Sequence, residues 1–176
     1  MRILTIVLCV ALVSAALLVT ATNTSASPIT SVAASQGGEV FTHSDAGVRF
    51  ELPKGWKAKP DGEVITVSSA DDALQVVFWV PDNDTFDAAV KELDKELGKI
   101  IKNLKTSGKP TQDTHNGMAH YGENGTGVVS GATIEWSVDV LGAKKPLIIL
   151  TFAAPNLIEK HADNYMKLVQ SIKKIG

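Results

Sequence analysis

The chain has 176 residues, 44 % of them hydrophobic and 20 % charged, which fits one ordinary globular domain. Its 17 basic and 19 acidic residues are nearly balanced, and nothing in that composition suggests nucleic-acid binding. The only cysteine is Cys9, so the chain beyond it has no disulfide, no thiolate nucleophile and no cysteine-ligated metal.

Residues 1–26 have the order of a secretory signal peptide. Arg2 is the only charge, residues 3–21 are almost wholly apolar, and the small polar run TNTSASP follows. Val19-Thr20-Ala21 and Thr24-Ser25-Ala26 both place small residues where a signal peptidase reads them. The expectation is export to the periplasm or the extracellular space, leaving a mature chain three charges negative. The alternative is a membrane anchor, because about 20 apolar residues span a bilayer as a helix. Cys9 sits inside the apolar run and not at its end, which argues against a lipid anchor there. Residues 27–38, rich in Ser, Thr, Ala and Gly, read as a flexible linker, with the folded domain over 39–176.

Val48, Phe50 and Leu52 alternate with Arg49 and Glu51, the period of a half-buried strand. Leu52-Pro53-Lys54-Gly55 then reads as a type I turn. Strands are predicted at 63–69 and 73–80, the second apolar on both faces. Apolar residues at Phe86, Val90, Leu93, Leu97, Ile100, Ile101 and Leu104 predict one helix of about twenty residues, capped by Asp84 and ended by Ser107-Gly108. A polar strand to His115, a long glycine-rich strand over 118–129, an alternating strand over 134–140 and a two-sided apolar strand at 147–153 follow. A last helix starts near Pro155. Four strands, a helix, four strands and a helix predict a single antiparallel β-sheet flanked by helices, an α/β/α sandwich.

The motif Gly47-x-x-Phe50-x-x-Pro53-x-Gly55-Trp56, with Leu168-Val169-x-Ser171-Ile172 in the closing helix, resembles the PsbP-like superfamily. That group includes extrinsic proteins of the photosynthetic oxygen-evolving complex, DcrB-like bacterial envelope proteins and the Mog family of Ran-binding import factors. The resemblance implies the fold over roughly 41–174 and no particular function, because its members do unrelated work. The chain has no Arg/Ser-rich transit peptide, which argues against a photosystem subunit. The export segment argues against a nuclear or cytosolic partner and leaves the bacterial envelope branch. Trp56 is expected to fold back over the sheet past the Pro-Gly turn and bury its indole.

Three functional readings compete. The first is a non-catalytic module that binds an envelope protein through a sheet edge or the glycine-rich 118–131 hairpin. The second is a carrier of a small apolar molecule or lipid, in a pocket between sheet and helix lined by Trp79, Trp136 and Phe152. The third is a weak divalent-metal site on His43 and Asp45, which share one face of a strand. His115 and His120 are an odd number apart and are expected on opposite faces. DNDTFD at 82–87 lacks the glycine and the terminal glutamate of a calcium loop and suits helix capping. GENGTG at 122–127 lacks the Lys-Ser/Thr of a phosphate loop. No nucleophile elbow and no His-Glu-x-x-His motif occur, so neither an enzyme nor a cofactor is expected.

Overall fold

The computed structural model describes residues 38–176. The apolar run, its cleavage sites and the linker up to residue 37 lie outside the described residues. Five strands come first: β1 (Val40–His43), β2 (Val48–Glu51), β3 (Lys57–Asp61), β4 (Val64–Ser68) and β5 (Leu74–Trp79). Helix α1 (Phe86–Ile100) leads to β6 (Lys102–Thr106), β7 (Thr111–His115), β8 (Met118–Val129), β9 (Ala132–Gly142) and β10 (Pro146–Ala153). A short α2 (Leu157–Lys160), α3 (Ala162–Ser171) and a two-residue β11 (Lys173–Lys174) complete the chain.

The strands form two sheets, not the single sheet expected. Eight build an antiparallel sheet in the order β3-β4-β5-β10-β9-β8-β6, with β7 also paired to β8. The other three form a small sheet in the order β1-β2-β11. Alternation decides which side chains meet which layer. On one face of the large sheet, Trp136, Val138, Val140, Ile148 and Leu150 pack under Ala89, Leu93, Leu97 and Ile101 of α1 and its exit. On the other, Phe78, Leu147 and Ile149 pack with Phe41, Val48 and Phe50 of the small sheet and with Tyr165 and Leu168 of α3. Helices therefore cover both faces, but α3 shares its face with a second, smaller sheet. Strands β5 and β10, apolar on both sides, are central for this reason.

The local signals that differ from expectation each have a physical cause. The hydrogen-bonded turn after β2 runs from Pro53 to Trp56, one residue later than predicted, with the Trp56 amide donating to the Pro53 carbonyl at 3.0 Å. Gly55 takes φ 82° at its third position, as a type II turn requires. Thr85, not Asp84, caps α1: its extended backbone (φ −123°, ψ 148°) aims its hydroxyl to accept the Ala88 amide. The helix stops at Ile100, although the apolar spacing continues to Leu104. Ile101 turns extended and fits its side chain against Gly127, where a Cβ would fall 2.1 Å from Ile101 Cγ2. Lys102–Thr106 then becomes an edge strand. The last helix is interrupted at His161 (φ −101°, ψ 8°) and so divides into α2 and α3.

The glycines of β8 make room in the same way. A Cβ on Gly125 would lie 1.9 Å from the Lys105 carbonyl oxygen and 2.8 Å from Trp136 Cζ2. They allow β6 to close on β8 while an indole lies beneath. Because β9 occupies one edge of β8 and β6 and β7 share the other, β8 has no free edge for an added strand. The glycine-rich strand is an interior member of the sheet.

Candidate functional site

The chemistry-bearing side chains converge on the β7–β8 hairpin. Asn116 and Gly117 form its two-residue turn with φ of 47° and 77°, both positive as a type I′ turn demands. The pairing sets His115 opposite Met118 and Asp113 opposite His120. His115 and His120 therefore lie on the same face, their rings 6.3 Å apart, and not on opposite faces as a continuous strand implies. The turn between them resets the alternation.

His120 is held at both ring nitrogens. Nδ1 donates to Asp113 Oδ1 at 2.6 Å and Nε2 donates to Asp139 Oδ1 at 2.9 Å. Two carboxylate acceptors demand two N–H donors, so the bonded ring is the imidazolium. The hydrogen bond to Asp139 is the main reason the ring's pKa is raised; partial burial opposes it, and Asp113 adds to the rise. The second oxygen of Asp139 accepts from the Tyr165 hydroxyl at 3.1 Å. Burial raises the pKa of that phenol, and the Asp139 charge raises it further. Asn116 completes the connection to α3, donating through Nδ2 to the carbonyls of Gln170 (3.0 Å) and Ile172 (2.8 Å). The arrangement is a polar clamp joining β7, β8, β9 and α3. With both nitrogens engaged, His120 has no lone pair with which to act as a base.

Beside the hairpin, on the α1 side, lies an open groove of about 650 Å3. Phe86, Val90 and Lys91 of α1 form one wall and Gln112, Thr114 and Ala119 the other. Strand β7 is exposed along residues 111–114, and β8 is its only partner among the described residues.

The residues singled out in the sequence fall elsewhere. Trp79 and Trp136 are buried in the core under α1, with Phe152 partly buried against the same cluster. Phe152 and Trp136 are cross-strand neighbours on β10 and β9. The Trp136 indole donates to the Thr126 carbonyl at 3.1 Å, and the buried Trp79 indole N–H has no partner among the described residues. His43 is buried, its Nε2 donating to the Glu63 carbonyl at 2.8 Å and its Nδ1 accepting from the Ala46 amide at 3.4 Å. Burial lowers its pKa, more than the Glu63 carbonyl and the nearby Asp45 charge raise it. Asp45 is exposed in the following turn, and an ion on this pair would have to displace one of the imidazole's bonds. Among the described residues no three His, Cys, Asp or Glu side chains are grouped to hold a metal ion.

The family-motif residues are architectural. Phe50 stacks between Phe41 and Phe78, Pro53 and Gly55 shape the turn, and Trp56 is buried with its ring edge-on to His161 at 6.3 Å. The sequence did carry one legible signal for the hairpin: Asn-Gly between two polar runs is a strong two-residue turn signature. The clamp itself joins residues 113, 120, 139 and 165, and no local pattern relates them.

No protein-family model matches the chain, and no curated protein matches it in sequence. Solved structures do match in shape. The cyanobacterial PsbP of Synechocystis, CyanoP, superposes with a TM-score of 0.53 at 10 % identity, over 77 % of this chain and 91 % of that one. The fold is PsbP-like. LpqN, described as involved in cell envelope biogenesis of Mycobacterium tuberculosis, shares it with a TM-score of 0.51 at 11 % identity, over 72 % of this chain and 82 % of that one. A Bacteroides thetaiotaomicron protein matches with a TM-score of 0.54 at 11 % identity and 78 % coverage of this chain. The chain spans about half, 48 %, of that protein's length. At such identities the shared PsbP-like fold is what these likenesses establish.

Proposed function

We propose that this chain is an exported envelope protein whose PsbP-like domain, over 39–176, is a non-catalytic module that binds another protein along the free edge of β7. The observation that carries this reading is the contrast among the edges of the large sheet. Strand β3 is guarded by Lys57, Lys59 and Pro60, residues that deter strand addition. Strand β6 has Lys102 and Lys105, an irregularity between them and Asn103 at φ 51°. Strand β7, Thr-Gln-Asp-Thr-His, has no lysine, proline or bulge, and its one carboxylate is neutralised by His120. An added strand would gain main-chain hydrogen bonds there and set alternate side chains into the groove beside α1.

Export rests on the N-terminal composition. Among the described residues no helix is long and apolar enough to cross a membrane. The non-catalytic reading is supported by the double engagement of His120, whose two ring nitrogens are both taken by carboxylates.

A photo-crosslinking residue at Gln112, compared with one at Lys59 on the guarded edge, tests this in the producing cell. The expected result is a discrete protein adduct at 112 only, lost when Thr114→Pro removes a strand donor. Equal labelling at both edges sinks the reading. A small-molecule adduct on the native mass, with no protein partner, transfers it to a carrier holding its ligand near Trp79, Trp136 and Phe152.

A further inference from the structure

A second surface is built by three segments distant in sequence. The Lys144 amide donates to the Ala46 carbonyl at 3.0 Å, and the Ile175 amide donates to the Gly47 carbonyl at 2.9 Å. Gly47 lies so close that its added Cβ would come within 3.0 Å of Lys144 Cβ. These contacts gather the β1–β2 turn, the β9–β10 turn and the C-terminal strand at one end of the molecule. That end presents Arg49, Lys144, Lys145, Lys173 and Lys174, all exposed, against Asp45 in the same segments, with Glu51 further along β2. None of the five cations is within 4.0 Å of a carboxylate among the described residues. Such a cluster stands out in a chain whose overall charge is −2.

Two features make this more than an uneven scatter of lysines. Lys173 is the direct cross-strand partner of Arg49, and like charges placed opposite one another work against the sheet. The small sheet therefore holds a repulsive pair that an anionic partner would relieve. Within the cluster sits Ile175, 46 % exposed, one of only two large apolar side chains so exposed among the described residues. An exposed aliphatic side chain in a segment with Lys173 and Lys174 matches an interface where phosphate headgroups lie over hydrocarbon. The patch is made of two turns and a strand end.

We infer that this basic end docks the domain on an anionic phospholipid surface, the lysines facing headgroups and Ile175 entering the interface. The inference is separate from the β7 edge, which belongs to other strands. Each lysine near such a surface strengthens partition by roughly five-fold, and salt weakens the effect.

The test compares partition of the full chain onto vesicles of phosphatidylcholine alone and onto vesicles in which about a third of it is replaced by phosphatidylglycerol. The ratio of the two is the readout, because the apolar N-terminal run acts on both. The expected ratio exceeds ten-fold at low salt and collapses at high salt. Lys144→Gln with Lys145→Gln, and separately Lys173→Gln with Lys174→Gln, each lower it several-fold with the unfolding midpoint kept, and Ile175→Ser lowers partition onto the anionic vesicles. A ratio near one, or a ratio that neither pair changes, overturns the proposal. Salt-sensitive binding to polyglutamate without preference for anionic vesicles also overturns it, in favour of an acidic protein.

Discussion

Phe50 of the small sheet stacks on Phe78 of the large sheet with ring centroids 4.5 Å apart and planes 2° from parallel. Phe41 continues the stack on the other side at 5.8 Å, so three aromatic rings join the two sheets. Phe50 is fully buried between them. Phe50→Ala removes the middle ring and leaves a cavity, and is expected to cost about 3–5 kcal/mol. Denaturant unfolding measures this directly. A loss below about 1 kcal/mol would mean that the layers are held elsewhere.

The His120 clamp predicts a pH dependence of defined sign. Its folded pKa is raised above the ordinary 6.5, so the native state holds the proton more tightly than the unfolded chain does. The contribution is fully present below about 6.5 and is lost as pH rises through the raised value. His120→Gln should flatten the fall in thermal midpoint on that alkaline limb. NMR titration of the His120 ring should give a midpoint above that of a denatured control. A midpoint at or below the control contradicts the doubly bonded imidazolium.

His43 predicts the opposite slope. Burial lowers its folded pKa, so the unfolded chain takes up the proton first. Its contribution holds above about 6.5 and declines as pH falls from there toward the folded value. Acidification with the carboxylates still ionised should therefore weaken the β1 region. Hydrogen exchange at the Ala46 amide, which His43 Nδ1 accepts, is the local probe. Unchanged protection across that window argues against a neutral buried ring.

Two glycine substitutions should move stability in opposite directions. Gly125→Ala puts a methyl into the Lys105 carbonyl and the Trp136 ring, at a cost of at least about 1–3 kcal/mol. Gly98→Ala, in α1 with nothing within 4 Å of the new Cβ, should gain up to about 1 kcal/mol from helix propensity. Paired urea titrations decide the matter, and a neutral Gly125→Ala would show that β6 can stand off from β8.

Much of the chain was legible because its periodicities are clean. The Val48-Phe50-Leu52 alternation, the double-sided apolar runs of β5 and β10 and the Phe86-Val90-Leu93-Leu97 stripe all fold as local pattern requires. Misreading arose where tertiary contact overrode local spacing. Ile101 and Leu104 continue a helical stripe in sequence, yet the space over Gly127 draws Ile101 into an extended conformation. The second sheet was hidden because β11 is two residues long and its partner β2 is more than a hundred residues away. Candidate sites were read from the large aromatics, and Trp136 lies in the core. The clamp residues Asp113 and Asp139 look in sequence like ordinary polar positions on strands.

Strand β2 is bordered on one edge by β1, made just before it, and on the other by β11, the last strand of the chain. The same closure recurs where Ser171 Oγ accepts the Glu51 amide across 120 residues. Contacts of such separation pay their loop-closure entropy before they return any stability. During synthesis, the face of the large sheet that awaits β2 and α3 can be finished only after residues 162–174 emerge. Until then Phe78, Leu147 and Ile149 face water, and the unfinished domain is open to capture by chaperones or by other chains.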